Sequence, residues 1–253
     1  MHRASAFLRK AGILAVMVKS SPSIRPLCRV LGLRWGPPAI SVRHGPPDRP
    51  WIAFTFDDSR DAPESLAMLE TIAACRIPAT LFVTAQGLQE NPQMAERAAA
   101  AGFEIGDHSR SHVDLATLSC TAISAEIGEG VRVYRELTRK PTSPLFRPPF
   151  GSKDLRVAFI AGSKGFRYMV LWDVDVKDWD GKSAESIEDQ VMTRAHNGAI
   201  VLFHLWVRAT REALPRMVEQ LSARGFEFVT VTQMIEALGS FEGTQGGNAA
   251  VTS

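Results

Sequence analysis

Apolar residues fall into short runs, separated by longer stretches in which they recur every three or four positions. The runs at 51–56, 79–84, 103–106, 145–147, 166–171, 199–204 and 226–231 have the length and the Phe, Val, Ile and Leu content of strands. Stretches such as 62–75, 121–137 and 208–224 have the period of amphipathic helices. Seven strands alternating with helices predict an α/β fold with a parallel sheet, open or closed into a barrel.

The first run carries more than its length. In WIAFTFD, Ala53, Thr55 and Asp57 lie on one face and Ile52, Phe54 and Phe56 on the other, because successive strand side chains alternate. The small, polar face suits a crowded barrel interior, and the bulky face suits packing against helices. Asp57 is thus expected to point inward. Its neighbour Asp58 has to turn over the rim where the pleat ends.

Two ends frame this body. The segment 36–50 (GPPAISVRHGPPDRP) is dense in Pro and Gly and reads as a linker; 239–253 (GSFEGTQGGNAAVTS) is Gly-rich and reads as a loose tail. The folded domain is expected over 51–238.

Composition adds little until charge is divided along the chain. Its 253 residues, 45% hydrophobic and 22% charged, are ordinary for a globular protein of one large α/β domain or two small ones. Residues 1–50 carry nine Lys/Arg and one acid, Asp48, whereas the remainder has 20 basic and 26 acidic residues. An acidic body offers no basic face for phosphates, which argues against nucleic acid as a partner. The basic leader includes AGILAVMV at 11–18, too short to span a bilayer at about 1.5 Å per residue. It is compatible with an ordinary extension, a degenerate export signal, a transit peptide or peripheral contact with an anionic membrane. Cys28, Cys75 and Cys120 include no closely spaced pair and form no disulfide framework.

Residues capable of chemistry sit where a parallel fold collects them, at the C-terminal strand ends. His108 and His112 are four apart, a spacing that lets two imidazoles chelate a divalent metal, although such pairs more often serve as surface polarity or caps. Asp58 could complete a two-His, one-carboxylate set. Asp57 and Asp58 taken alone read more readily as turn formers. His204, at the end of an apolar strand, is by itself a rim histidine of the core. Arg147, before two prolines, is by itself a surface or ion-pair residue, and Asp178 and Trp179 are ordinary loop residues.

Taken together, the blocks TFDD (55–58), HSRSH (108–112), RPPF (147–150), DVKDW (175–179) and IVLFH (200–204) change that balance. Present in this order, each after an expected strand, they resemble the polysaccharide deacetylase family, also called carbohydrate esterase family 4 or the NodB-homology domain. The resemblance covers about residues 51–236. It implies a distorted (β/α) barrel of about seven parallel strands and one divalent metal, Zn²⁺ foremost with Co²⁺, Ni²⁺ or Mn²⁺ as alternatives. The implied activity is removal of N- or O-acyl groups from a glycan or acylated aminosugar, with the cell envelope or exterior as its usual place.

By motif, the resemblance assigns Asp58, His108 and His112 to the metal and Asp57 to the general base held by Arg147. It assigns His204 to the general acid tuned by Asp178. The backbone N–H of Phe150 corresponds to the family's oxyanion contact, and Trp179 and Leu202 to the walls of its acyl pocket. Three features depart from the pattern: Ser59 replaces a Gly, Phe150 a Tyr, and Leu205-Trp206 follows His204 where an Asp is usual. These put specificity in doubt more than chemistry. The alternatives are hydrolysis of a non-sugar amide or deformylation of a lipid-linked aminosugar on the same fold, and an inactive carbohydrate-binding protein.

Overall fold

The computed structural model describes residues 37–57 and 62–245. The basic leader, Asp58, Ser59 and the last eight residues lie outside the described residues. The strands are β1 (Ile40–Val42), β2 (Trp51–Asp57), β3 (Thr80–Val83), β4 (Glu104–Asp107), β5 (Leu145–Phe146), β6 (Tyr168–Val170), β7 (Val174–Asp175), β8 (Ala199–His204) and β9 (Glu227–Phe228). The helices are α1 (Ala62–Ala74), α2 (Ala85–Glu90), α3 (Gln93–Ala101), α4 (Cys120–Glu126), α5 (Glu129–Thr138), α6 (Leu155–Ser163), α7 (Ala184–Arg194), α8 (Arg208–Ala223) and α9 (Val231–Gln245).

All pairings are parallel, and the strands follow the order β1-β6-β5-β4-β3-β2-β8-β7, with β9 also paired to β2. A strand has two edges. β8 takes one edge of β2 from Ile52 to Asp57, so β9 at Trp51–Ile52 and β3 at Thr55–Asp57 divide the other. The sheet curls into a half-barrel with helices outside.

The alternation in β2 has the consequence its sequence predicts. Phe54 and Phe56 pack outward with Phe203 and the helices, Phe54 meeting Phe203 edge-on at 5.1 Å, while Ala53 joins the interior with Phe82, Leu145, Val170 and Ile200. Each buried Phe contributes about 1.5–3 kcal/mol of apolar transfer.

The interior is closed at the N-terminal mouth. Val231, Met234 and Ile235 of α9 insert into it, and the Glu104 carboxylate receives the Thr232 N–H and the Thr80 hydroxyl beside the start of that helix. Negative charge at a helix N-terminus is favourable. Only the C-terminal mouth is left for a site.

Four expectations differ in detail. The 36–50 segment contains β1: Ile40–Val42 pairs with β6 and Val42 is fully buried, so nonlocal pairing overrides the surrounding prolines. β7 was also unforeseen, because two residues carry no periodic signal. The helix expected over 121–137 is two helices, divided at Gly128 with φ of 91°, a conformation that interrupts a helix. At the C-terminus, the 226–231 run yields only the two-residue β9, and α9 continues through Gly239 to Gln245 rather than giving way to a tail.

Candidate active site

Residues i and i+2 of a strand share a face, so β2 presents Thr55 and Asp57 to the interior one above the other. β8 runs in register beside it, with His204 opposite Asp57. Arg147 follows β5 and crosses to Thr55 and Asp57 of β2. Its Nη1 donates to Asp57 Oδ1 at 2.7 Å and to Thr55 Oγ1 at 2.8 Å, while Nε and Nη2 donate to the carbonyls of Val170 and Leu171 at 3.2 Å each. The guanidinium also lies over the Phe82 ring, 4.1 Å from its centroid. Gly106 makes room for that ring, since a Cβ there would stand 2.6 Å from Phe82 Cε1.

Arg147 is fully buried, and that burial pulls its guanidinium below the ordinary value, opposed by Asp57. Arginine starts so high that it stays protonated. The result is a charge-assisted pair that fixes the Asp57 carboxylate in orientation inside the mouth.

Of the two histidines of the 108–112 loop, His108 reaches this carboxylate and His112 packs beside His108. His108 is buried; its Nδ1 lies 2.8 Å from the Arg147 carbonyl oxygen, and its Nε2 is 3.5 Å from Asp57 Oδ2. A carbonyl can only accept, so Nδ1 carries a proton, and Nε2 is the ring nitrogen turned toward Asp57. The His112 ring lies 4.9 Å from the His108 ring and 4.7 Å from the Phe150 ring.

Asp107 anchors the loop from the other side of the sheet. Its carboxylate accepts the backbone N–H groups of Ser109, Gly128 and Val131 at 3.1, 2.9 and 3.1 Å. Burial pushes the Asp107 carboxyl up, and these three donors oppose the shift.

Across the cavity, His204 Nδ1 donates to Asp178 Oδ1 at 2.7 Å, and Asp178 Oδ2 accepts the His204 backbone N–H at 2.9 Å. Leu202, Trp172, Trp179, Trp206 and Phe150 wall a cavity of ≈ 440 Å³ that contains Asp57, His108, His112 and His204. A second cavity of ≈ 400 Å³ adjoins it at His112 and Phe150. Four of the six non-glycine residues with positive φ among the described residues, Ser109, His112, Phe150 and Lys177, are in or beside these motifs. Strain of this kind gathers where geometry serves function.

Every expected site residue within the described region is thus at one mouth; Arg147 and Asp178 stand behind the cavity wall, and Asp58 lies outside the described residues. Among the described residues, no three His, Cys, Asp or Glu side chains form a group able to hold an ion. Two imidazoles, one of them oriented by a carbonyl in the manner of metal-bound histidines, fit a divalent metal if one more donor joins them.

Residues not foreseen in the site include Thr55, legible as the residue two before Asp57, and Trp172 at the cavity wall. Thr210 is another: its hydroxyl reaches Asp178, and no motif marks it.

Comparison with known proteins gives a consistent picture. The family model described as polysaccharide deacetylase matches residues 44–169. A peptidoglycan-N-acetylglucosamine deacetylase of Bacillus cereus is 30% identical over 188 residues, covering 73% of this chain and 87% of that protein. The peptidoglycan-N-acetylmuramic acid deacetylase PdaC of Bacillus subtilis is 31% identical over 193 residues, covering 75% of this chain and 40% of PdaC. The chain spans 38–60% of the length of the longer curated relatives it matches. Among solved structures, a carbohydrate esterase family 4 pseudoenzyme from Bacillus anthracis superposes with a TM-score of 0.71 at 28% identity, covering 77% of this chain and 68% of that one.

Proposed function

The chain belongs to the polysaccharide deacetylase family, and on that premise we propose that it is a metal-dependent hydrolase releasing acyl groups, N-acetyl foremost, from a sugar-containing substrate. The observation that carries the reading is the opposition of two proton-handling pairs across one cavity. Asp57 with Arg147 stands on one side, and His204 with Asp178 on the other.

In this mechanism the acyl group enters between the pairs, against Leu202 and Trp179. Asp57, fixed by Arg147, accepts a proton from the attacking water as the water oxygen bonds to the acyl carbon. His204, charged and paired with Asp178, then gives its Nε2 proton to the nitrogen as the carbon–nitrogen bond breaks, leaving a free amine and an acid. His108 and His112, with Asp58, would hold the cation, which supplies polarisation of the acyl oxygen and acidification of water when bound. The Phe150 backbone N–H is assigned the remaining oxyanion contact by family correspondence. The substrate class comes from relatives that act on peptidoglycan aminosugars.

The test is acetate release from N-acetylglucosamine oligosaccharides by the full chain, measured after chelation and again after restoring Zn²⁺. Loss and recovery of turnover, together with an inert Asp57→Asn variant, are expected. One solved relative is a pseudoenzyme, so the opposite result has a defined meaning: saturable oligosaccharide binding without release would make this chain a binding protein.

A further inference from the structure

Asp178 is buried, and its carboxylate accepts three hydrogen bonds. Oδ1 takes the His204 imidazole, and Oδ2 takes both the His204 backbone N–H and the Thr210 hydroxyl, the last at 2.8 Å. Thr210 is in the first turn of α8 and fully buried, and the helix N-cap, Val207, makes no side-chain cap. Its hydroxyl therefore points away from its own helix and into the proton-donating pair.

A carboxylate rotates in a broad, roughly two-fold well about its terminal torsion, so one hydrogen bond does not fix both oxygens. The His204 backbone N–H and the Thr210 hydroxyl hold Oδ2 from two directions, which commits Oδ1 to His204 Nδ1. That in turn sets the ring plane from which Nε2 faces the cavity.

We propose that Thr210 is a positioning residue for proton delivery to the leaving group, acting on His204 through Asp178. The inference rests on the hydrolase reading above. In the step it serves, the bond from the tetrahedral carbon to nitrogen breaks, its electron pair stays on nitrogen, and that nitrogen takes the Nε2 proton. Neutral imidazole remains, still hydrogen-bonded through Nδ1 to Asp178. An activated aryl ester needs no such proton, because its leaving group departs as a stable anion.

The experiment compares turnover of an N-acetylglucosamine oligosaccharide with that of 4-nitrophenyl acetate in the metal-loaded full chain. Thr210→Val, close to threonine in shape, is expected to lower kcat for the amide about 10- to 100-fold, within the range of a general acid's contribution. Ester turnover is expected to change by less than about twofold. Thr210→Ser restores the amide rate. In a His204→Ala background, Thr210→Val has little further effect, as befits residues acting as one unit. If valine prevents folding, Thr210→Ala makes the same comparison. An unchanged amide-to-ester ratio, whether both rates hold or both fall, overturns the inference while leaving the hydrolase reading intact. Wild-type protein inert toward both substrates overturns that reading and the inference with it.

Discussion

Arg147 Nη1 stands 2.7 Å from Asp57 Oδ1, with Arg147 wholly buried and Asp57 exposed only where it lines the cavity, so the proposed base and its partner form one buried ion pair. Truncating one member of such a pair leaves the other charge uncompensated, at a cost of about 3–5 kcal/mol. Arg147→Ala is expected to lower stability by that amount in urea unfolding at neutral pH. Arg147→Lys retains the charge but lacks the fork that serves Thr55, Asp57 and two carbonyls, and should fall between the two. A double variant that also carries Asp57→Asn recovers part of the loss, because the stranded carboxylate is then gone.

Gly130 offers a test of how the histidine loop is braced. Glycine to alanine within a helix normally gains about 1 kcal/mol. Here an added Cβ would meet the Val83 carbonyl oxygen at 2.1 Å and Asp107 Oδ1 at 2.9 Å. The nearest obstacle is backbone and cannot swing aside. Gly130→Ala is expected to destabilise by about 1–3 kcal/mol, the range for overpacking, with turnover falling as α5 is pushed from Asp107. Thermal unfolding and acyl release measured on one preparation check both parts.

Phe150 makes the opposite trade. It is 65% exposed and has φ of 59°, where a non-glycine side chain is strained. Asparagine tolerates that region better. Phe150→Asn is expected to leave the unfolding midpoint unchanged or higher, yet to raise KM about fivefold or more, since the ring borders both cavities. A lower midpoint with unchanged KM would mean that the ring serves packing rather than substrate.

These residues differ in how far the sequence announced them. Thr55 and Asp57 share an interior face because a strand has period two, and that much can be read from seven letters. The motif residues could be grouped because each follows a strand in a parallel fold. β1 was hidden because its three residues are held by pairing with β6, more than 120 residues away, within a segment whose composition speaks for a loop. The break at Gly128 was hidden because one glycine inside an apolar helical pattern is common, and only its φ shows an interruption. Thr210 carries no local signal at all; its importance exists only once α8 is docked beside Asp178.

The closed end of the barrel supplies a prediction free of the proposed chemistry. Asp173 Oδ1 accepts the Ile200 N–H at 2.9 Å, and Oδ2 is 3.0 Å from His196 Nε2. Burial pushes the Asp173 carboxyl above its ordinary value, outweighing the Ile200 donor and the nearby His196 and His44. A raised carboxyl pKa means the fold binds this proton more tightly than the unfolded chain does. Its stabilising effect is therefore present at low pH and is lost as pH rises through the ordinary carboxylate range toward the folded value. Asparagine keeps an oxygen for the Ile200 N–H and has no charge to bury. Relative to wild type, Asp173→Asn should gain stability as pH rises out of the carboxylate range. Urea midpoints of the two proteins across that pH span provide the test; a difference that stays constant would show that the buried charge costs the fold nothing.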